Sequence, residues 1–112
     1  MNLNEYLATK VMGWEKDMCG QGRWIMSRSK DGGYIDKYIL LSDWHPDTNL
    51  GQAMMCAEKL DEEFIDYEIL VSRYEKVVRI WAPSKNKWFR KCWETLDELP
   101  LAICEAVKEA TK

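Results

Sequence analysis

The chain has 112 residues, 46% of them hydrophobic and 31% charged, which is the composition of one soluble globular domain spanning residues 1–112. Its net charge of −3 argues against a general nucleic-acid binder, because such proteins usually carry a clear excess of basic residues. No segment approaches the roughly 18 consecutive apolar residues of a membrane span, and the first residues lack the pattern of a signal peptide. We therefore expect a cytoplasmic protein with no membrane partner.

The cysteine and histidine residues match no metal-binding pattern. The chain has four cysteines without a C-x-x-C pair and a single histidine, His45. We expect free thiols in a reducing compartment, with neither a metal nor a cofactor.

The first half of the chain predicts a helix followed by a β-hairpin. Asn2 or Asn4 can cap the helix, and Gly13 is placed to end it. Segment 15–22 is polar and contains two glycines, so we expect a loop there. The two strands of the hairpin are predicted at Arg23–Arg28 and Tyr34–Leu41, on either side of an Asp-Gly-Gly turn.

The second half predicts a helix, two or three strands and a final helix. Thr48 or Asn49 can cap the second helix, which is expected to end near Leu60 or Asp61 because acidic residues there oppose the helix dipole. Its apolar face consists of Leu50, Ala53, Met54, Ala57 and Leu60. Strands are predicted at Tyr67–Tyr74, at Lys76–Ala82 and, as an edge strand, at Trp88–Trp93. The last helix starts at Pro100 and carries an apolar stripe of Ile103, Cys104, Val107 and Ala110.

The order of these elements is α-β-β-α-β-β-(β)-α. Connections of hairpin length make neighbouring strands antiparallel. The sequence therefore predicts an α+β fold with three helices and one mostly antiparallel sheet of four or five strands.

Three segments in sequence resemble the phage ABA sandwich domain family. Ala8–Trp14 resembles its opening A-x-K-V-M-G-W, the helix Asn49–Leu60 resembles its central helix, and Leu99–Ala106 resembles its closing A-P-L-A-I-C-x-A. The resemblance implies a three-layer α/β/α sandwich encoded by a phage or prophage. It supplies no catalytic residues, and the chain departs from the family in the tryptophan-rich segment Trp81–Trp93 and in the loop near Cys19.

One loop invites an enzymatic interpretation. Asp43 and Asp47 flank His45 immediately before a helix N-terminus, which suits acid–base chemistry or anion binding. The same residues are also ordinary in turns and caps. Because no nucleophile or metal set accompanies His45, we expect that the protein is not an enzyme.

Two groups of basic and aromatic residues suggest a ligand site. In the first, Trp88 is expected to stack a base beside Phe89, while surrounding cations neutralise phosphate. These cations are Lys85, Lys87, Arg90 and Lys91. The second group, on the first hairpin, consists of Arg23, Trp24, Arg28 and Lys30. The alternative is that lysines simply protect an edge strand.

These observations predict a non-enzymatic phage or prophage accessory protein in the host cytoplasm. Its expected role in counter-defence is to bind and sequester a phosphorylated small molecule, such as a host nucleotide signal. The alternative is an inhibitor that binds a host defence protein through exposed tryptophan and tyrosine side chains. The acidic stretch Glu58–Glu68 is most simply a solvated helix end, although it is also suited to docking a basic protein surface. Homo-oligomer formation stays open.

Overall fold

Three α-helices and six strands are described in residues 1–62 and 66–112 of the computed structural model. The helices are α1 (Leu3–Tyr6), which continues into a π-helical turn at Leu7–Val11, then α2 (Leu50–Asp61) and α3 (Leu99–Thr111). The strands are β1 (Glu15–Asp17), β2 (Arg23–Arg28), β3 (Ile35–Leu40), β4 (Tyr67–Val71), β5 (Lys76–Ala82) and β6 (Lys87–Cys92). The predicted α+β class is confirmed.

The six strands form two antiparallel sheets, with the orders β1-β2-β3 and β4-β5-β6. The prediction of one sheet of four or five strands is therefore not confirmed within the described residues. Each hairpin pairing follows from a short connection between its strands. The two groups of strands would form one sheet only if an edge strand of each were hydrogen-bonded to the other. That pairing depends on how the chain is placed before and after α2, and local sequence patterns do not determine it.

Strand β1 corrects the predicted loop at 15–22. It pairs with β2 in a register that sets Glu15 opposite Ile25 and Asp17 opposite Arg23. The Arg23 guanidinium Nε lies 2.9 Å from an Asp17 carboxylate oxygen. The three residues of β1 are all charged, so they show no alternation of apolar and polar side chains that would indicate a strand.

Helix α3 occupies the centre of the molecule and packs on α2 and on strands β5 and β6. Its predicted apolar stripe is confirmed, since Ile103, Cys104, Val107 and Ala110 are all buried. On α2 the buried residues are Ala53, Cys56, Ala57 and Leu60. Leu50, the first residue of α2, departs from the predicted apolar face, since it is 44% exposed.

Four of the six tryptophans belong to the core. These are Trp14, Trp24, Trp44 and Trp93. Trp14 and Trp44 form an edge-to-face pair with their ring centroids 4.7 Å apart, and the Trp44 indole N–H donates to the Asn4 carbonyl at 2.9 Å. Trp81 and Trp88 remain partly exposed on the second sheet, β4–β6.

The ends of the helices follow the predicted capping chemistry. The Asn2 side chain accepts from the Glu5 backbone N–H at 2.9 Å, and the Asn49 side chain accepts from the Gln52 N–H at 3.0 Å. Gly13 has a φ of +74°, which accounts for a glycine just after the first helix. None of the helices in the described ranges combines the length and apolarity that a membrane span requires.

The four cysteines are free thiols, as predicted. Cys56 and Cys104 are buried, and burial raises the pKa of the Cys56 thiol to about 12. These two side chains therefore act as small hydrophobic groups in the packing of α2 and α3. Cys19 and Cys92 are exposed.

Candidate functional site

Strand β6 divides the first predicted basic and aromatic group between two faces. Neighbouring side chains of a strand point to opposite sides of the sheet. Phe89 lies opposite the buried Ile80 of β5 and packs against the core, whereas Trp88 lies opposite Trp81. Consequently Lys87, Phe89 and Lys91 share the face covered by α3, while Trp88 and Arg90 lie on the other face.

On the α3 side, an open cleft of about 630 Å³ lies between the β5–β6 turn and the end of α3. Its lining consists of Lys85, Lys87, Phe89, Glu109 and Lys112. The ammonium nitrogen of Lys87 lies 4.6 Å from the centroid of the Phe89 ring, and that of Lys85 lies 5.2 Å from it. The cleft thus gathers ammonium groups around one aromatic ring.

The carboxylates of Glu105 and Glu109, beside this cleft, share one cation, Lys91. Its ammonium group lies 2.8 Å from a Glu109 carboxylate oxygen and 3.8 Å from one of Glu105. The hydrogen bond to Glu109 raises the pKa of Lys91 above its ordinary value. Lys85, Lys87 and Lys112 form no ion pair within residues 1–62 and 66–112. Among the described residues, the four lysines at the cleft therefore outnumber the two carboxylates beside it, although the chain as a whole is acidic.

Lys85 also has a structural role. Its ammonium group donates to the backbone carbonyl of Glu109 at 3.0 Å, close to the C-terminal end of α3. A cation at this end of a helix satisfies an unpaired carbonyl and complements the helix dipole. Lys87 has no comparable bond to α3 and is the better probe of ligand binding.

The opposite face of the second sheet carries a different arrangement. Trp88 is 41% exposed, and its ring centroid lies 5.5 Å from that of Trp81. The guanidinium of Arg79 lies 5.1 Å from the centroid of the Trp88 ring and pairs with Glu68. Arg90 pairs with Glu75 at 2.7 Å. These arginines are thus already engaged by carboxylates, and Trp88 lies away from the lysine cleft.

The group on the first hairpin does not add to the ligand site. Trp24 is only 2% exposed and belongs to the core, so very little of its ring is available to a ligand. Arg23 pairs with Asp17. The hydrogen bond from the Cys19 backbone N–H, together with this pair, lowers the pKa of Asp17 to about 2. Arg28 pairs with Glu15 at 3.3 Å. Both arginines therefore tie β2 to β1.

His45 organises the loop that precedes α2. Its ring Nε2 lies 2.6 Å from the Ser42 carbonyl oxygen, and its backbone N–H donates to the Gln52 side chain at 2.6 Å. Its carbonyl oxygen accepts from the backbone N–H of Asn49 at 2.8 Å. Within the described residues, no group of three or more histidine, cysteine or acidic side chains is arranged to hold a metal ion. The hydrogen bonds of His45 therefore stabilise the loop before α2.

A His45→Ala variant is expected to leave ligand binding and the biological effect of the protein unchanged. It removes one exposed hydrogen bond, so the free energy of unfolding should fall by only about 0.5–1.5 kcal/mol. Chemical denaturation measures this loss, and phage yield measures the effect. A folded variant that has lost its effect would support an enzymatic role for this loop instead.

The sequence does not predict that Phe89, Glu109 and Lys112 line the same cleft. Phe89 is next to Trp88 in the sequence, but the alternation of a strand places its side chain on the same face as those of Lys87 and Lys91. Glu109 and Lys112 lie more than twenty residues along the chain from Lys87. Only the packing of α3 on β6 brings them to the cleft.

Comparison with known proteins gives a consistent family relationship. The model of the phage ABA sandwich domain matches residues 5–107. The structure is similar to that of a phage protein from Bacillus cereus ATCC 14579, with a TM-score of 0.52 and 22% sequence identity, covering 96% of this chain and 83% of that one. At this identity the likeness supports the fold alone. No curated protein matches the sequence. The chain belongs to the phage ABA sandwich domain family.

Proposed function

We propose that this protein is a non-enzymatic phage or prophage accessory protein that binds and sequesters a phosphorylated small molecule in the host cytoplasm. A host nucleotide signal is a suitable ligand, and its removal would serve counter-defence. The observation that carries the proposal is the cleft, where Lys85, Lys87 and Lys112 have no carboxylate partner among the described residues. The protein surrounding them has a net charge of −3.

The chemistry of the cleft suits a phosphorylated ligand. Ammonium groups form charge-assisted hydrogen bonds with phosphate oxygens, and each such bond is stronger than a neutral one. The cleft volume of about 630 Å³ falls in the range of about 300–1,000 Å³ that is typical of small-molecule sites. Its open shape allows a ligand to enter without movement of the sheet.

Protection of an edge strand is the competing explanation for these lysines. Strand β6 is an outer strand of its sheet, and lysines commonly discourage pairing with other chains at such edges. However, Lys85 lies outside β6 and bonds to α3, while Lys112 comes from the end of α3. An edge-protecting role does not require Lys85 and Lys112 to line the same cleft as Lys87.

Calorimetric titration with ADP tests the proposal. The Lys87→Ala variant should bind ADP about 10- to 100-fold more weakly, which corresponds to the loss of one charge-assisted contact. Higher salt should weaken binding to the unaltered protein, because the cleft is open to solvent and its charges are screened.

The matched control is Lys30→Ala, which removes the same charge from the exposed turn of the first hairpin. Its affinity for ADP should equal that of the unaltered protein. If the unaltered protein and the Lys30→Ala variant both fail to bind ADP or related phosphorylated compounds, the proposed function is wrong.

A second candidate function rests on the other face of the second sheet. The half-exposed pair of Trp81 and Trp88, with Arg79 beside it, resembles the aromatic and arginine anchors of protein interfaces. This arrangement supports the alternative of an inhibitor that binds a host defence protein. A Trp88→Ala variant would then lose a host partner in affinity purification while retaining affinity for ADP.

We also propose the α/β/α layer order for this chain. Membership of the sandwich family supports it, and the packing of α3 on strands β5 and β6 provides one of the helix–sheet contacts that this order requires. A crystal structure in which all the helices lie on one side of both sheets would contradict this order.

A further inference from the structure

We propose that the cleft recognises a chain of two or more phosphate groups and makes no stacking contact with a base. This inference rests on the proposed function, since it specifies the ligand of the same cleft. It differs from the expectation drawn from the sequence, in which Trp88 stacks a base. Three observations support it.

The first observation is that the aromatic ring of the cleft is already in contact with cations. The ammonium groups of Lys87 and Lys85 lie 4.6 and 5.2 Å from the centroid of the Phe89 ring. Both distances fall within the roughly 6 Å limit of a cation–π contact. A stacked base would have to displace these ammonium groups from the ring, which would also remove them from the positions where they meet phosphate.

The second observation is that the cleft offers no other aromatic surface. Phe89 is the one ring among the described residues that line it. Trp88, the nearest tryptophan in the sequence, points to the opposite side of the sheet and packs against Trp81 and Arg79. In the described lining, a base therefore has only the Phe89 ring to stack on, and the ammonium groups of Lys85 and Lys87 already lie against that ring.

The third observation is the amount of positive charge. Lys85, Lys87 and Lys112 line the cleft without carboxylate partners in the described ranges, and Lys91 neutralises Glu109. A single phosphate carries a charge of only about −1.5 to −2 at neutral pH. Two or more linked phosphates carry more charge than one and offer an oxygen to each of the three lysines that have no ion pair in the described ranges.

Calorimetry with a graded set of compounds tests the inference. The set comprises pyrophosphate, tripolyphosphate, ADP, AMP and adenosine, titrated into the full chain in a buffer without phosphate. Pyrophosphate and ADP should bind within about threefold of each other. AMP should bind at least about tenfold more weakly, because it lacks one charge-assisted contact, and adenosine should not bind.

The variants separate this inference from general charge attraction. Lys87→Ala should weaken pyrophosphate binding by about 10-fold or more, whereas Lys30→Ala and Trp88→Ala should leave it unchanged. Equal weakening by Lys87→Ala and Lys30→Ala would overturn the inference, since it would show non-specific attraction.

The failures of the two proposals are also distinguishable. If ADP, AMP and adenosine bind with equal affinity while pyrophosphate does not bind, the protein recognises the nucleoside and not the phosphates. The inference is then overturned, although a ligand site exists. If Trp88→Ala abolishes ADP binding, the inference is overturned in favour of base stacking on the other face of the sheet. If no compound of the set binds, the proposed function itself fails together with the inference.

Discussion

Replacing Ile103 by alanine is expected to lower the free energy of unfolding by about 2–5 kcal/mol, because the truncated side chain leaves a cavity. Ile103 is 0% exposed and lies on the side of α3 that joins the core. Helix α3 packs on both α2 and the second sheet, and side chains in such a closely packed interior cannot easily collapse into the space. Urea denaturation followed by far-ultraviolet circular dichroism measures the change.

The same helix provides the control. Leu101 is 41% exposed, so Leu101→Ala should change the free energy of unfolding by only about 0.5 kcal/mol. The two substitutions occupy one helix and remove aliphatic side chains of the same size. Equal stability of the Ile103→Ala and Leu101→Ala variants would show that α3 does not pack through its Ile103 face.

The helices were predictable because their signals are local. The stripe on α3 repeats every three or four residues, and Pro100 stands in the first turn, where its missing N–H costs nothing. The predicted end of α2 near Asp61 is confirmed, and Asn49 rather than Thr48 provides its cap. Each of these features depends on residues within one or two turns of each other.

The arrangement of the sheets was less predictable because its determinants are distant in sequence. The hairpin β2–β3 and the meander β4–β6 follow from short turns. Strand β1 depends on pairing with β2 through the charged residues Asp17 and Arg23, a pattern that also suits a polar loop. Part of the predicted acidic stretch, residues 63–65, lies outside the described residues.

The sequence identified the residue types of the candidate site but not the face of the sheet on which each side chain lies. The sequence indicated lysines and aromatics near residue 88, and the structure places Lys85 and Lys87 in one cleft. Composition alone did not separate Phe89, which faces the cleft, from Trp88, which faces away. Likewise, the basic residues around Trp24 suggested a ligand, whereas burial assigns Trp24 to the core.

The core role of Trp24 leads to the second large effect. Trp24→Ala is expected to lower the free energy of unfolding by about 3–5 kcal/mol, since it removes the largest side chain from a packed site. Trp24 is 2% exposed and belongs to the main apolar cluster, and the Lys16 ammonium group lies 5.8 Å from its ring centroid. Urea denaturation again provides the measurement, with Trp24→Phe expected to retain part of the stability.

Ligand binding by the folded fraction distinguishes a core role from a stacking role for Trp24. Trp24→Phe should bind ADP as tightly as the unaltered protein, because the ring is enclosed and lines no part of the lysine cleft. The partly exposed Trp88 is the matched control for stability, and Trp88→Ala should cost clearly less than Trp24→Ala because less apolar surface is lost from the interior. A Trp24→Phe variant of near-normal stability that no longer binds ADP would return Trp24 to the ligand site and contradict its assignment to the core.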